Sequence, residues 1–220
     1  MWGKLRIFAN MIFDNMAIDN DPKFFQDDSE GDHGMEDMLT YWLSWSLRLA
    51  ADNNEYCKDK PKLKQHCRFM LFELLNINNY SHICVHEVKI KKEWKRIDLI
   101  AEIYIERDGK KERHILMMEN KAYTFMSKIQ RDEYPLKVIE KYGDPIKEHY
   151  FLHPVLLSCF ERNKRDIEKL NRLVSYCSEG TSEYKWRVMS IEDIIYTRET
   201  DTESELYNTF WIKDWYKKNK

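Results

Sequence analysis

Three side chains in the middle of this chain have the types and spacing that hydrolysis of a phosphate ester needs. Asp98 lies in the segment RIDLI, and Glu119 and Lys121 flank Asn120 in the segment MMENK. Two carboxylates can take a hard divalent ion, Mg²⁺ or Mn²⁺, which binds oxygen and keeps most of its waters. The backbone carbonyl of Asn120 offers a further oxygen. An ammonium beside such an ion can orient or deprotonate the attacking water and stabilise charge developing on the phosphate. None of these groups need become covalently attached to a substrate.

The elements that must position them are legible around the triplet. Residues 96–121 alternate apolar and polar side chains on either side of a turn at Asp108 and Gly109, the pattern of a β-hairpin. Side chains two apart on a strand share a face, so Glu119 and Lys121 point one way while Met118 and Asn120 point the other. Ile97, Leu99, Ala101, Ile103 and Ile105 form one apolar row, which leaves Asp98 on the opposite face with Arg96 and Glu102. Pairing of the two strands lets Asp98 approach Glu119 and Lys121.

Around the hairpin the spacing predicts a helix over 35–50 with a Met38, Trp42, Trp45, Leu49 stripe, and a second helix burying Leu63, Cys67, Met70, Leu71 and Leu74. Lys62, Lys64, His66 and Arg68 fall on that second helix's outer face, where they could follow a phosphate backbone. A short strand over 82–90 leads through a basic turn at Lys91, Lys92, Lys95 and Arg96. After the hairpin a helix is expected over 122–143, with Ser127 as N-cap, Gly143 as stop and a kink or restart at Pro135. A strand over 148–160 follows, with Pro154 favouring a sheet edge or bulge. A helix over 162–177, a strand over 185–195 and a terminal helix over 203–220 complete the order. Alternating elements of this kind predict an α/β fold, a mixed sheet flanked by helices on both faces.

The arrangement resembles the PD-(D/E)XK nuclease superfamily. Asp98 matches the first Asp of its motif, and Glu119, Asn120 and Lys121 match the (D/E)XK tripeptide in its ENK form. Glu36 and Thr40 in EDMLT match an acid-bearing first helix, and Gln130 and Tyr134 stand where a subgroup carries a Gln and a Tyr after the motif. Glu87 takes the place of an acid one strand earlier, and WRVMSIEDI resembles the strand and helix start that close such domains. The likeness covers about residues 36–195. Arg131 replaces the usual Leu, Pro135 interrupts the helix, and no proline precedes Asp98. The resemblance implies a restriction-endonuclease-like core and a Mg²⁺- or Mn²⁺-dependent deoxyribonuclease, with RNA the other candidate substrate and defence against foreign nucleic acid a candidate role. Asp98, Glu119, Lys121, Glu36 and Gln130 would be catalytic, Asp98, Glu119 and the Asn120 carbonyl would hold the ion, and Tyr134, Lys95 and Arg96 would meet substrate. The other reading keeps the fold for non-catalytic binding or assembly, with Trp211 and Trp215 docking a partner.

Composition narrows the setting. The 220 residues fit a single domain with an N-terminal extension over 1–34 and a C-terminal helix over 200–220. A net charge of -2 lacks the global basic signature of many nucleic-acid binders, although an acidic metal site offsets basic patches in the same sum. Five cysteines without CxxC spacing point to a reducing cytoplasm, and no histidine and cysteine spacing suggests zinc. No signal peptide, membrane span, P-loop or dinucleotide fingerprint is read. A double-strand cut by one site per chain would be easiest for a two-fold homodimer.

Overall fold

A computed structural model describes residues 34–122, 124–162, 165–180, 182–196 and 201–216. The expectations for residues 1–33 lie outside them. Helix α1 (Gly34–Leu49) and helix α2 (Pro61–Leu75) come first, joined through a short 3₁₀ turn. Strands β1 (Ile83–Trp94), β2 (Ile97–Arg107) and β3 (Lys110–Lys121) follow as a meander. Then α3 (Lys128–Tyr142), β4 (Phe151–Ser158), α4 (Ile167–Ser178) and β5 (Arg187–Ser190) alternate. The sheet order is β1-β2-β3-β4-β5, antiparallel through β3 and parallel beyond it. The chain is therefore an α/β protein built on a five-stranded mixed sheet.

Both hairpin turns are two-residue loops with positive φ at each position, Lys95 and Arg96 in one and Asp108 and Gly109 in the other. That backbone matches the right-handed twist of the strands it joins. The first of these turns corrects the sequence expectation: β1 runs on through Lys91 and Lys92 to Trp94, and only Lys95 and Arg96 turn. Ile97 also departs from its expected row and joins Ile100, Ile115 and Met117 in the core under α3 and α4.

Neighbouring residues on β3 show that helices cover both faces. The Asn120 side chain donates to Thr40 of α1, and the Glu119 carboxylate accepts from Gln130 of α3. Since side chains alternate across a strand, α1 and α3 lie on opposite sides.

Helix α3 starts at Lys128 with Ser127 as its N-cap and Gly143 at its end, as the sequence indicates, and Ser127 and Gln130 form a reciprocal capping box that fixes its first turn. It then runs through Pro135 without the expected break. A proline leaves the carbonyl four residues back without its amide partner, and here the Trp186 indole donates to the Arg131 carbonyl at 2.8 Å. Arg131, the residue in place of Leu, is buried between Asp132 and the Tyr176 carbonyl with its guanidinium over the Tyr176 ring. Pro154 lies in β4 opposite Met117, one residue before pairing with β5 begins at Val155, so the strand is an edge at that point. Helix α4 begins later than expected, and the last strand ends at Ser190 in a 3₁₀ turn over Ile191–Ile194.

Two surface expectations fail on packing. His66 is fully buried between Tyr196 and Tyr207, and Arg68 and Lys64 are tied to Asp52, so this side of α2 does not present a free basic row. The terminal helix is a short α-helical turn (Glu205–Tyr207) continued as a π-helix (Asn208–Tyr216). Trp211 is wholly buried and donates to Ser46 at 2.9 Å, while Phe210 stacks on Trp42. Trp211 is spent on α1 and offers no docking surface, while the Trp215 side chain lies outside what the structure describes.

Candidate active site

The carboxyl-terminal end of β3 gathers the residues that the sequence singles out. Register places Leu99 opposite Met118, so Asp98 comes level with Glu119 just past the last ladder pair. The amide of Asn120 donates to Asp98 Oδ2 at 2.7 Å, which locks the Asp98 carboxylate across the strand gap. A strand residue offers its amide and carbonyl to the same neighbour, so the Asn120 carbonyl points toward the Asp98 side as well. The Asn120 side chain leaves this face altogether and donates to Thr40 Oγ1 at 2.7 Å.

Lys121 Nζ lies 2.8 Å from Glu119 Oε1 and 3.5 Å from Glu36 Oε2. Gln130 Nε2 donates to the same Glu119 Oε1, so one oxygen of Glu119 is held by two donors. The other oxygen, Oε2, is buried and has no hydrogen-bond partner among the described residues. Leaving a buried carboxylate oxygen unpaired is costly, and a bound cation removes that cost. Glu36 sits at the start of α1, where its Oε1 accepts from the Ala122 amide and the Thr124 hydroxyl, both at 3.0 Å. These bonds pin the chain as it leaves β3. Tyr134 is buried one helical turn from Gln130, with its hydroxyl acidity suppressed by burial and by the nearby Glu119.

Electrostatics repeat what the geometry shows. Burial pushes the Asp98 carboxyl up to about 6, against the pull of the Asn120 amide and Lys121. Burial and the adjacent Asp98 push Glu119 up to about 7. Burial opposes the charge on Lys121, but the Glu119 carboxylate outweighs it and the ammonium is held above its usual range. Two carboxylates, Glu119 raised in part by Asp98, beside one lysine carry one negative charge too many for that lysine. A divalent ion would balance it.

Among the described residues there is no set of three or more His, Cys, Asp or Glu side chains arranged to hold a metal. The donors on offer are two carboxylates and a backbone carbonyl, the sparse oxygen set that Mg²⁺ accepts because waters and phosphate oxygens fill the rest of its octahedron. The unpaired Glu119 Oε2, and two buried acids both raised above their ordinary range, fit that ion. No family profile matches this chain, and no curated protein or solved structure matches it.

The remaining sequence candidates divide. Lys95 and Arg96 are exposed at the tip of the β1–β2 turn, with Lys95 paired to Glu140 of α3 at 2.9 Å. Glu87 is a correction: it is exposed, opposite Tyr104 and paired with Lys89, so it takes no part in the site. A bulge between Val85 and Glu87 re-aims that stretch of β1. Thr124 and the Thr40–Asn120 bond are roles the sequence did not reveal. Thr40 falls one turn from Glu36 on α1, which was the one available signal for it.

Proposed function

We propose that this chain has a restriction-endonuclease-like core and is a Mg²⁺- or Mn²⁺-dependent nuclease of the PD-(D/E)XK kind, cutting phosphodiester bonds of DNA. The observation that carries the reading is the Asp98–Glu119 pair with Lys121, in which a buried carboxylate oxygen lacks a partner and both acids are raised. Support comes from elements outside the motif: Glu36 of α1 and Gln130 of α3 reach the same cluster from opposite faces of the sheet.

Asp98, Glu119 and the Asn120 carbonyl would hold the ion, which supplies Lewis-acid polarisation and a more acidic water. The chain's own groups do the positioning. Asp98 is fixed by the Asn120 amide, and Glu119 Oε1 is fixed by Gln130 and Lys121, leaving Oε2 as its free donor atom. Lys121, charged and held between two acids, orients the attacking water and neutralises charge that grows on the phosphate oxygens. Glu36 keeps Lys121 from swinging out of the site. Five free cysteines fit a reducing, cytoplasmic setting.

The test is cleavage of supercoiled plasmid, single-stranded DNA and RNA by the purified chain with Mg²⁺ or Mn²⁺, beside the same reactions in EDTA. Metal-dependent cutting of DNA supports the reading. A folded chain that cuts none of the three in either metal contradicts it.

A further inference from the structure

A second cationic feature lies on the same face of the sheet as the carboxylates, away from the reacting centre. Lys141, in the last turn of α3, places its Nζ 4.3 Å from the centre of the Trp94 ring and 4.8 Å from that of Tyr142. The Nζ is buried and has no hydrogen-bond acceptor among the described residues. The Lys91 side chain is its nearest cationic neighbour and opposes its charge. Lys91 pairs with Ile100 on β2, two residues beyond Asp98, and two residues apart on a strand means the same face.

The carboxylates near enough to balance this pair are already committed. Glu102 accepts from Arg113 and Tyr104. Glu140 is paired with Lys95. Burial and the Lys91 charge together bring Lys141 down to about 8, the signature of a cation lacking its counter-ion. Unlike the site at Glu119, which has an excess of negative charge, this one has an excess of positive charge, with Lys91 exposed to solvent.

Resting on the nuclease reading above, we propose that Lys91 and Lys141, the latter seated against Trp94, bind a backbone phosphate of the nucleic-acid strand away from the bond that is cut. Lys141 is three helical turns after Gln130, roughly 16 Å along α3 at 1.5 Å per residue. Lys91, one strand over and two residues along from Asp98, lies nearer, so at about 3.4 Å per nucleotide the contact falls a few nucleotides from the reacting phosphate. Such a contact fixes the register of the strand over Asp98 and Glu119 without reading its sequence.

The test is anisotropy of a short labelled DNA strand with the full chain in EDTA, where it is not cut, between about 50 and 200 mM salt. Wild type is compared with the Lys91→Met/Lys141→Met double variant and with Lys91→Arg/Lys141→Arg. The Met variant is expected to bind about tenfold more weakly at the lower salt, with the slope of log K against log salt shallower by about 1, while the Arg variant keeps the slope. Because the substitution removes a like-charge contact, the thermal midpoint of the Met variant is expected to equal or exceed that of wild type. Should the double variant not fold, the exposed Lys91→Met alone carries the comparison, with half the loss in slope. An unchanged slope overturns the proposal. So does protection by inorganic phosphate that both lysines support while strand binding is unaffected, since the site would then serve a free anion. Cleavage in Mg²⁺ with an unchanged slope sinks this inference alone, whereas a wild type that neither binds nor cuts any strand sinks the nuclease reading with it.

Discussion

Strand β3 carries a polar cluster at each end, and the two clusters treat burial in opposite ways. Near its start, Arg107 holds Glu112, Glu112 accepts from His114 at 3.1 Å, and His114 Nδ1 meets His153 Nε2 at 2.9 Å. Neither histidine contributes a buried nitrogen without a partner. Burial brings His114 down, and burial with its neighbour His114 brings His153 down to about 3, so both are neutral and sealed. Near the end of β3, Asp98 and Glu119 crowd one lysine and leave Glu119 Oε2 unpaired. A perturbed acidity is therefore not by itself a mark of function. What separates the ends is whether protein groups alone complete the cluster: at His114 they do, and at Glu119 they do not.

The widest separation between the two ends should be in turnover. Asp98→Asn, Glu119→Gln and Lys121→Ala are each expected to lower metal-dependent cleavage by about 10²- to 10⁴-fold, the range for removing one acid–base or electrostatic group. His153→Gln is expected to leave the rate within a few fold. Single-turnover cleavage measured on all four variants breaks the comparison if His153→Gln is as damaging as Glu119→Gln.

The next effect is a pair of opposed pH slopes in stability. In the folded chain Asp98 and Glu119 keep their protons to about 6 and about 7, against ordinary values of 3.8 and 4.5. The folded state thus binds protons more tightly, so their contribution without metal is fully present below about 4 and is lost as pH rises through 7. For His153 the folded value is depressed from 6.5 to about 3. Its contribution is complete above 6.5 and is lost as pH falls toward 3. Urea midpoints in EDTA from pH 4 to 8 separate the two arms: an Asp98→Asn/Glu119→Gln chain should lose the fall toward neutral pH, and His153→Gln should lose the fall toward acid. Both arms surviving in both variants would remove the physical distinction between the ends.

Much of this site was legible because its logic is local. A period of two places Glu119 and Lys121 on one face, Asp108-Gly109 sets the hairpin, and Ser127 caps the helix that carries Gln130. The rest depends on partners distant in the chain. Pro135 read as a break because the Trp186 indole that satisfies the Arg131 carbonyl lies 55 residues away. His66 read as a surface residue because Tyr196 and Tyr207, which cover it, come from beyond the sheet. The sequence places Glu87 only by resemblance, and the pairing that sets it opposite Tyr104, six residues along β2 from Asp98, cannot be read from its own segment. Asn120 showed its backbone role but not that its side chain crosses to Thr40.

That last bond supplies the smallest expected effect on chemistry. Thr40→Val leaves the buried Asn120 amide without its acceptor and is expected to cost about 1–3 kcal/mol of stability, with cleavage changed by no more than a few fold. Denaturant unfolding and cleavage rates on one preparation check it, and a large loss of turnover at unchanged stability would move Thr40 into the working part of the site.

The most direct test of the difference between the two ends is calorimetric titration of the full chain with Mn²⁺ near pH 7.5. One site is expected in wild type and in His153→Gln, abolished by Glu119→Gln and by Asp98→Asn. Wild type that binds no Mn²⁺, or binding that survives both carboxylate changes, would contradict the account.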